Sequence, residues 1–194
     1  MSQDTDAVEL VPDVTVDSFA RAVLIAALVA GLSYVSIRLP GNIPFSFQHF
    51  GVFLAGLVLG PLWGGLALLL WIVAGLVGAP VYSSGGAGLG YFLGPTGGFI
   101  VGFLLAGVVV GAVVHRSTVP KPVVEVSPGQ ATIGFALALV PIYAVGVPWF
   151  AAVQGLPLGT AVDVMIPFAI GDLIKVAVAG GAVFAGQDLL ARIE

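Results

Sequence analysis

The chain has 194 residues, 59% apolar and 8% charged, with a formal net charge of −4 and a mean hydropathy of +1.13. That balance excludes a soluble globular domain and identifies an integral membrane protein, because only lipid can keep so much apolar surface from water. Cysteine is absent, which excludes disulfides, thiolate chemistry and cysteine-held metals, and the acidic balance offers no footing for a nucleic-acid partner.

Residues 1–17 carry Asp4, Asp6, Glu9, Asp13 and Asp17 and no Lys or Arg, the reverse of the basic start of a signal peptide. They read as an acidic, disordered cytosolic tail, and residues 18–194 as one transmembrane domain. Six apolar runs follow, at about 19–37, 47–60, 61–79, 93–115, 131–153 and 161–190. Most approach the ~20 residues that a helix needs to cross a bilayer, and the second is short. Gly60-Pro61 divides the second from the third, since glycine ends one helix and proline opens the next. The expected fold is all-α: a polytopic membrane protein with six transmembrane helices in a single bundle. Six spans put both termini on one side. Arg21, Arg116, Lys121 and Arg192 then share a face, which the positive-inside bias makes cytosolic, and only Arg38 falls outside it. A multi-pass protein of the plasma membrane with both termini cytosolic is expected.

Small residues recur at helical spacing twice. Ala22, Ala26 and Ala30 form a stripe on the first helix, open between packing inside the bundle and docking a partner. Gly94, Gly98 and Gly102 form another on the fourth, read as close packing within the bundle. Polar and aromatic residues gather in the connections that this topology places outside. Arg38, Asn42, Phe45, Gln48 and His49 lie before and at the start of the second helix, with Tyr82, Ser83, Ser84 and Tyr91 between the third and fourth. They are placed to line the mouth of a cavity, although aromatic residues at a membrane boundary commonly serve as anchors.

The sixth run carries Gly171-Asp172-Leu173-Ile174-Lys175. Ionisable groups inside a span cost several kcal/mol unless they pair or face a cavity, roughly 3 kcal/mol at the helix centre on insertion scales. Three positions apart, Asp172 and Lys175 share a helical face. Chemistry alone allows a structural ion pair or a receptor for a small polar ligand, with the carboxylate accepting from N–H groups and the ammonium attracting an oxygen. A third reading is an intramembrane aspartyl protease, because Ala169-Ile170-Gly171-Asp172 falls one residue short of Gly-x-Gly-Asp. That chemistry needs a second carboxylate, for which only Asp163 is at hand.

Taken together, Pro44-Phe45-Ser46-Phe47-Gln48, Leu59-Gly60-Pro61, Gly75-Leu76-Val77-Gly78-Ala79-Pro80-Val81-Tyr82, Leu93-Gly94-Pro95-Thr96-Gly97-Gly98 and Gly171-Asp172-Leu173-Ile174-Lys175 strongly resemble the BioY family, the biotin-binding S components of energy-coupling-factor (ECF) transporters. The resemblance implies a six-helix S component that captures biotin outside and delivers it inward with a transmembrane T subunit and two ATP-binding subunits. Biotin is then transported ligand rather than cofactor. The chain is then no enzyme, and it contains no Gly-x-x-x-x-Gly-Lys-Ser/Thr with which to hydrolyse ATP. By the same resemblance Asp172 and Lys175 contact biotin, Gln48 joins them from the first external loop, and Ala22, Ala26 and Ala30 meet the T subunit. Ser46 stands where the family more often has threonine, and His49 follows Gln48. Asn42, Phe45, Tyr82, Ser83 and Tyr91 complete the expected substrate-binding set. A different vitamin or a biotin precursor is the alternative ligand.

Overall fold

A computed structural model describes the backbone of residues 13–38 and 44–193 and the side chains of residues 14–35 and 46–189. In chain order the elements are α1 (Asp13–Ser33), β1 (Ser36–Arg38), β2 (Pro44–Ser46), α2 (Gln48–Leu76), α3 (Gly88–Phe92), α4 (Gly97–His115), α5 (Pro128–Gln154) and α6 (Leu158–Ile193), with short 3-10 turns at Ser83–Gly85 and Val123–Glu125. Helix α1 begins at Asp13, so the expected boundary after residue 17 moves into the helix. There Asp17 pairs with Arg21 at 2.8 Å on an exposed face. Residues 1–12, with the rest of the acidic tail, lie outside the described residues. Strands β1 and β2 pair antiparallel, Ser36 opposite Ser46 and Ile37 opposite Phe45, and make a small ribbon at one end of a helical bundle.

Among the described residues, five helices are long and apolar enough to cross a membrane, and one of them folds back on itself. Helix α2 is broken at Gly60, where φ is 72° and ψ −174°, a region open essentially only to glycine. A side chain begun at Gly64 would stand 2.6 Å from the Ala55 carbonyl oxygen and 3.2 Å from Gly56 Cα. Nine residues along a straight helix span about 13 Å, so the arms 48–59 and 61–76 must run back against each other. The bundle thus has six crossing segments, with the expected division at Gly60-Pro61.

Proline at position 61 has no N–H for the Leu57 carbonyl, four residues earlier. His115, the last residue of α4, supplies the missing donor. Its Nε2 lies 2.9 Å from Leu57 O and 3.2 Å from Gly56 O, while Nδ1 accepts from the Lys121 N–H at 3.1 Å. That acceptor role assigns the ring hydrogen to Nε2. His115→Leu leaves a buried carbonyl unpaired and is expected to destabilise the folded protein by about 1–3 kcal/mol, visible as a lower midpoint in thermal unfolding of the detergent-purified protein. An unchanged midpoint would refute this role.

Two members of the glycine stripe, Gly98 and Gly102, do what spacing implied, whereas Gly94 lies in the turn before α4, where a Cβ would meet the backbone of Gly90 and Tyr91. A Cβ on Gly102 would sit 2.7 Å from Ile142 Cα, and one on Gly98 would run into Trp149, so hydrogen alone lets α4 lie backbone-close to α5. Phe53 of α2 stacks on Phe135 of α5 with ring centroids 4.7 Å apart, and Trp71, Phe103 and Ile142 fill the same core.

The alanine stripe lies on α1. Ala22 is fully buried against Leu59 and Ala67, and Ala26 and Ala30 are half-buried on the main core. The stripe thus packs in part within the bundle, and half of the surface at Ala26 and Ala30 stays open. Arg21 lies beside Thr118, Val119 and Pro120, at the same end as the α4–α5 connection with Arg116 and Lys121. The α2 apex at Gly60 is also at this end, next to Pro120.

Candidate functional site

At the opposite end α2, α4, α5 and α6 enclose a cavity of about 60 Å³, beneath the β1–β2 ribbon and the 77–96 connection. Each polar lining group is placed by a local device. Ser46 ends β2, and its hydroxyl donates to Gln48 Oε1 at 2.9 Å, which fixes the first turn of α2 and presents Gln48 and His49 inward. The rest of the wall is apolar and aromatic, chiefly Phe99, Phe103, Phe168, Ile142 and Met165.

Asp172 and Lys175 enter from α6 with relative exposures of 3% and 4%. Lys175 Nζ donates to Asp172 Oδ1 at 2.8 Å and to the Ser46 carbonyl at 2.8 Å, and lies 3.4 Å from His49 Nδ1. The other carboxylate oxygen, Oδ2, accepts from the Tyr143 hydroxyl at 2.6 Å. It also stands 3.1 Å from His49 Nε2, too far off line to count as a hydrogen bond. One ammonium and one carboxylate therefore offset each other in an apolar cavity, tied together by a histidine and a tyrosine. Among the described residues, two further polar atoms are buried without hydrogen-bond partners, Gln48 Nε2 and Ser83 Oγ. An amide and a hydroxyl left unsatisfied at that depth cost free energy unless something else supplies the bond.

Of the residues expected from sequence, Asp172, Lys175, Gln48, Ser83 and Tyr91 come together on this cavity. Tyr82 is not among the residues that line it. Its hydroxyl donates to the Ile72 carbonyl at 2.7 Å, its ring closes on Gly75 and meets Trp71 edge-on, and burial pushes the phenol up to about 12, so it stays a donor within the core. It reaches the site only through Tyr91, whose ring stacks on it and whose hydroxyl donates to the Ser83 carbonyl at 3.1 Å. Asn42 lies outside the described residues, and of Phe45 only the backbone, in β2, is described. Trp149, near the end of α5, donates its ring N–H to the Gly94 carbonyl at 2.9 Å.

One lining residue, Tyr143, has no counterpart among the residues expected from sequence. His49, expected only at the cavity mouth, sits between the two charges. Tyr143 drew no attention, because a single tyrosine in a long apolar helix gives no sign of which neighbour its hydroxyl meets. Tyr143→Phe is expected to weaken ligand binding about tenfold, since a hydrogen bond to a charged group contributes about 1.5–3 kcal/mol and Lys175 continues to hold the carboxylate. Titration of the purified variant checks this, and affinity equal to the parent's would remove Tyr143 from the site. Asp163 is exposed, nine positions before Asp172, and no second carboxylate lines the cavity among the described residues. The dyad that protease chemistry requires is missing.

A conserved-family model described as BioY matches residues 3–192. The chain belongs to the BioY family. Its relatives include a protein of Rhodobacter capsulatus named Biotin transporter BioY, 39% identical, with 81% of this chain and 86% of the relative aligned. One of the same name from Rhizobium etli is 35% identical over 86% of this chain and 92% of the relative. Among solved structures, the S-component for biotin from an ECF-type ABC transporter superposes with a TM-score of 0.80, covering 92% of this chain and 95% of the other, at 23% identity. At that identity the likeness speaks for the fold, which is the S-component bundle with six crossing segments described above.

Proposed function

We propose that this protein is the substrate-capture subunit for biotin uptake. It binds biotin at the cavity beneath the ribbon and delivers it across the membrane together with a T subunit and two ATP-binding subunits. It is a transport subunit and not an enzyme. The observation that carries the reading is the buried Asp172–Lys175 pair opening onto a cavity that also holds the unsatisfied Gln48 amide and Ser83 hydroxyl. Biotin has a ureido ring with two N–H donors and a carbonyl, an apolar thiophane ring and a carboxylate. A wall of aromatic residues interrupted by a carboxylate, an ammonium, an amide and a hydroxyl matches that list. The relatives named biotin transporters support the same ligand.

The reading places the protein in the plasma membrane with the Arg21, Arg116 and Lys121 end in the cytosol and the cavity facing outward. At about 60 Å³ the cavity falls well below the roughly 300 Å³ at which ligand pockets begin, so biotin must displace part of its cover. The ribbon is the part that moves, because Lys175 holds it through the Ser46 carbonyl and a ligand oxygen competes for that donor. Fluorescence or calorimetric titration of the detergent-purified protein with biotin tests the proposal, with thiamine, riboflavin and desthiobiotin as competitors. Saturable binding of biotin that thiamine and riboflavin fail to displace is expected. Absence of binding by folded protein would overturn the ligand assignment.

A further inference from the structure

We infer that His49 takes up a proton when the ligand's carboxylate binds, so that this protein captures its anion together with one proton. The inference rests on the biotin reading and goes beyond it. Before ligand arrives, the cluster holds one ammonium, Lys175, and one carboxylate, Asp172, 2.8 Å apart and almost wholly buried. An anionic ligand adds an uncompensated negative charge to a largely apolar cavity, which is costly unless a positive charge accompanies it.

The groups that face His49 leave few sources for that charge. Helix α6 contributes Asp172 and Lys175, α5 contributes the Tyr143 phenol, and α4 contributes Phe103, whose ring meets the imidazole edge-on at 4.9 Å. Its own helix contributes Phe53, and Tyr91 lines the cavity from α3. Lysine is already charged, and phenols do not become cations. Imidazole is the side chain that gains a proton near neutral pH.

The geometry gives the proton a second consequence. An ammonium can only donate, so His49 Nδ1, 3.4 Å from Lys175 Nζ, acts as an acceptor and the imidazole carries its hydrogen on Nε2, on the side of Asp172. A proton arriving from water at Nδ1 converts that acceptor to a donor. It repels Lys175 while the Asp172 carboxylate steadies the imidazolium through Nε2. Lys175 then has an N–H to offer, and the ligand carboxylate settles between two donors, Lys175 Nζ and His49 Nδ1. No covalent bond to the ligand forms, one proton leaves bulk water for each anion bound, and it returns to water when the anion leaves.

Calorimetric titration with biotin in phosphate and in Tris, whose ionisation enthalpies differ, counts protons directly. The parent is expected to take up close to one proton per biotin, equivalent to an affinity that falls about tenfold per pH unit above neutrality. His49→Gln is expected to bind with no proton uptake and a flat pH profile. Uncharged biotinamide should bind the parent without proton uptake, and this arm decides the matter even where the His49 variant fails to fold. Biotin binding by the parent without proton uptake, uptake undiminished in folded His49→Gln, or equal uptake with biotinamide would each overturn the inference while leaving the biotin reading intact. No saturable binding of biotin would overturn both.

Discussion

Asp172→Asn is expected to weaken biotin binding roughly a hundredfold, since it replaces a carboxylate that orders two donors with an amide that must donate as well as accept. The figure follows from losing charge-assisted hydrogen bonds that contribute about 1.5–3 kcal/mol each. Tyr143 donates to Oδ2 and Lys175 to Oδ1, and neither donor finds an anion in the variant. Lys175→Met is expected to cost as much, by removing the cation and the bond to the Ser46 carbonyl that holds the ribbon over the cavity. The single and double variants should diverge in stability. Each single change strands a buried charge, at a cost of about 3–5 kcal/mol, whereas Asp172→Asn with Lys175→Met removes both charges and should recover much of that loss. Binding should not recover with it. Titration and thermal unfolding of the three proteins separate the two effects. Parent-like biotin affinity in the folded single variants would sink the assignment of this pair to the site.

Gly60→Val is expected to be the most damaging substitution outside the cavity. At φ 72° and ψ −174° the backbone occupies a region that costs roughly 1–3 kcal/mol for a residue with a side chain, and a β-branched residue fits it worst. The site of strain is the apex that folds α2 back on itself. Its two arms end in different walls of the cavity, Gln48 and His49 at the start of one and the connection to Ser83 after the other. Opening the apex should therefore lower the unfolding midpoint by on the order of 5 °C and weaken biotin binding with no change in any lining residue. Gly60→Ala should show the same effects at smaller size. A Gly60→Val protein that melts and binds like the parent would show that the reversal does not depend on glycine.

Much of the bundle was legible because apolar length and chain punctuation are local properties. Six runs, the Gly60-Pro61 division and the charged connection after α4 all follow from residues within a few positions of one another. The burial of Asp172 and Lys175 was legible for a similar reason. A charged pair three positions apart in an apolar span has few places to go, and a shared face toward the interior is the least costly.

Composition settled that this chain lives in a membrane as a helical bundle with one charged pair inside, and its motifs resemble one family closely. Only the tertiary structure decided which way each helix turns. Helix α1 is apolar nearly all round, so no polar face announces its inner side, and close packing on α2 alone buries Ala22. Tyr82 turns into the core because Gly75 leaves room for its ring. His49 and Tyr143 meet Asp172 across three helices, 123 and 29 positions away in sequence. Contacts of that kind are set by the rotation of neighbouring helices, and helical periodicity carries no record of a partner on another helix.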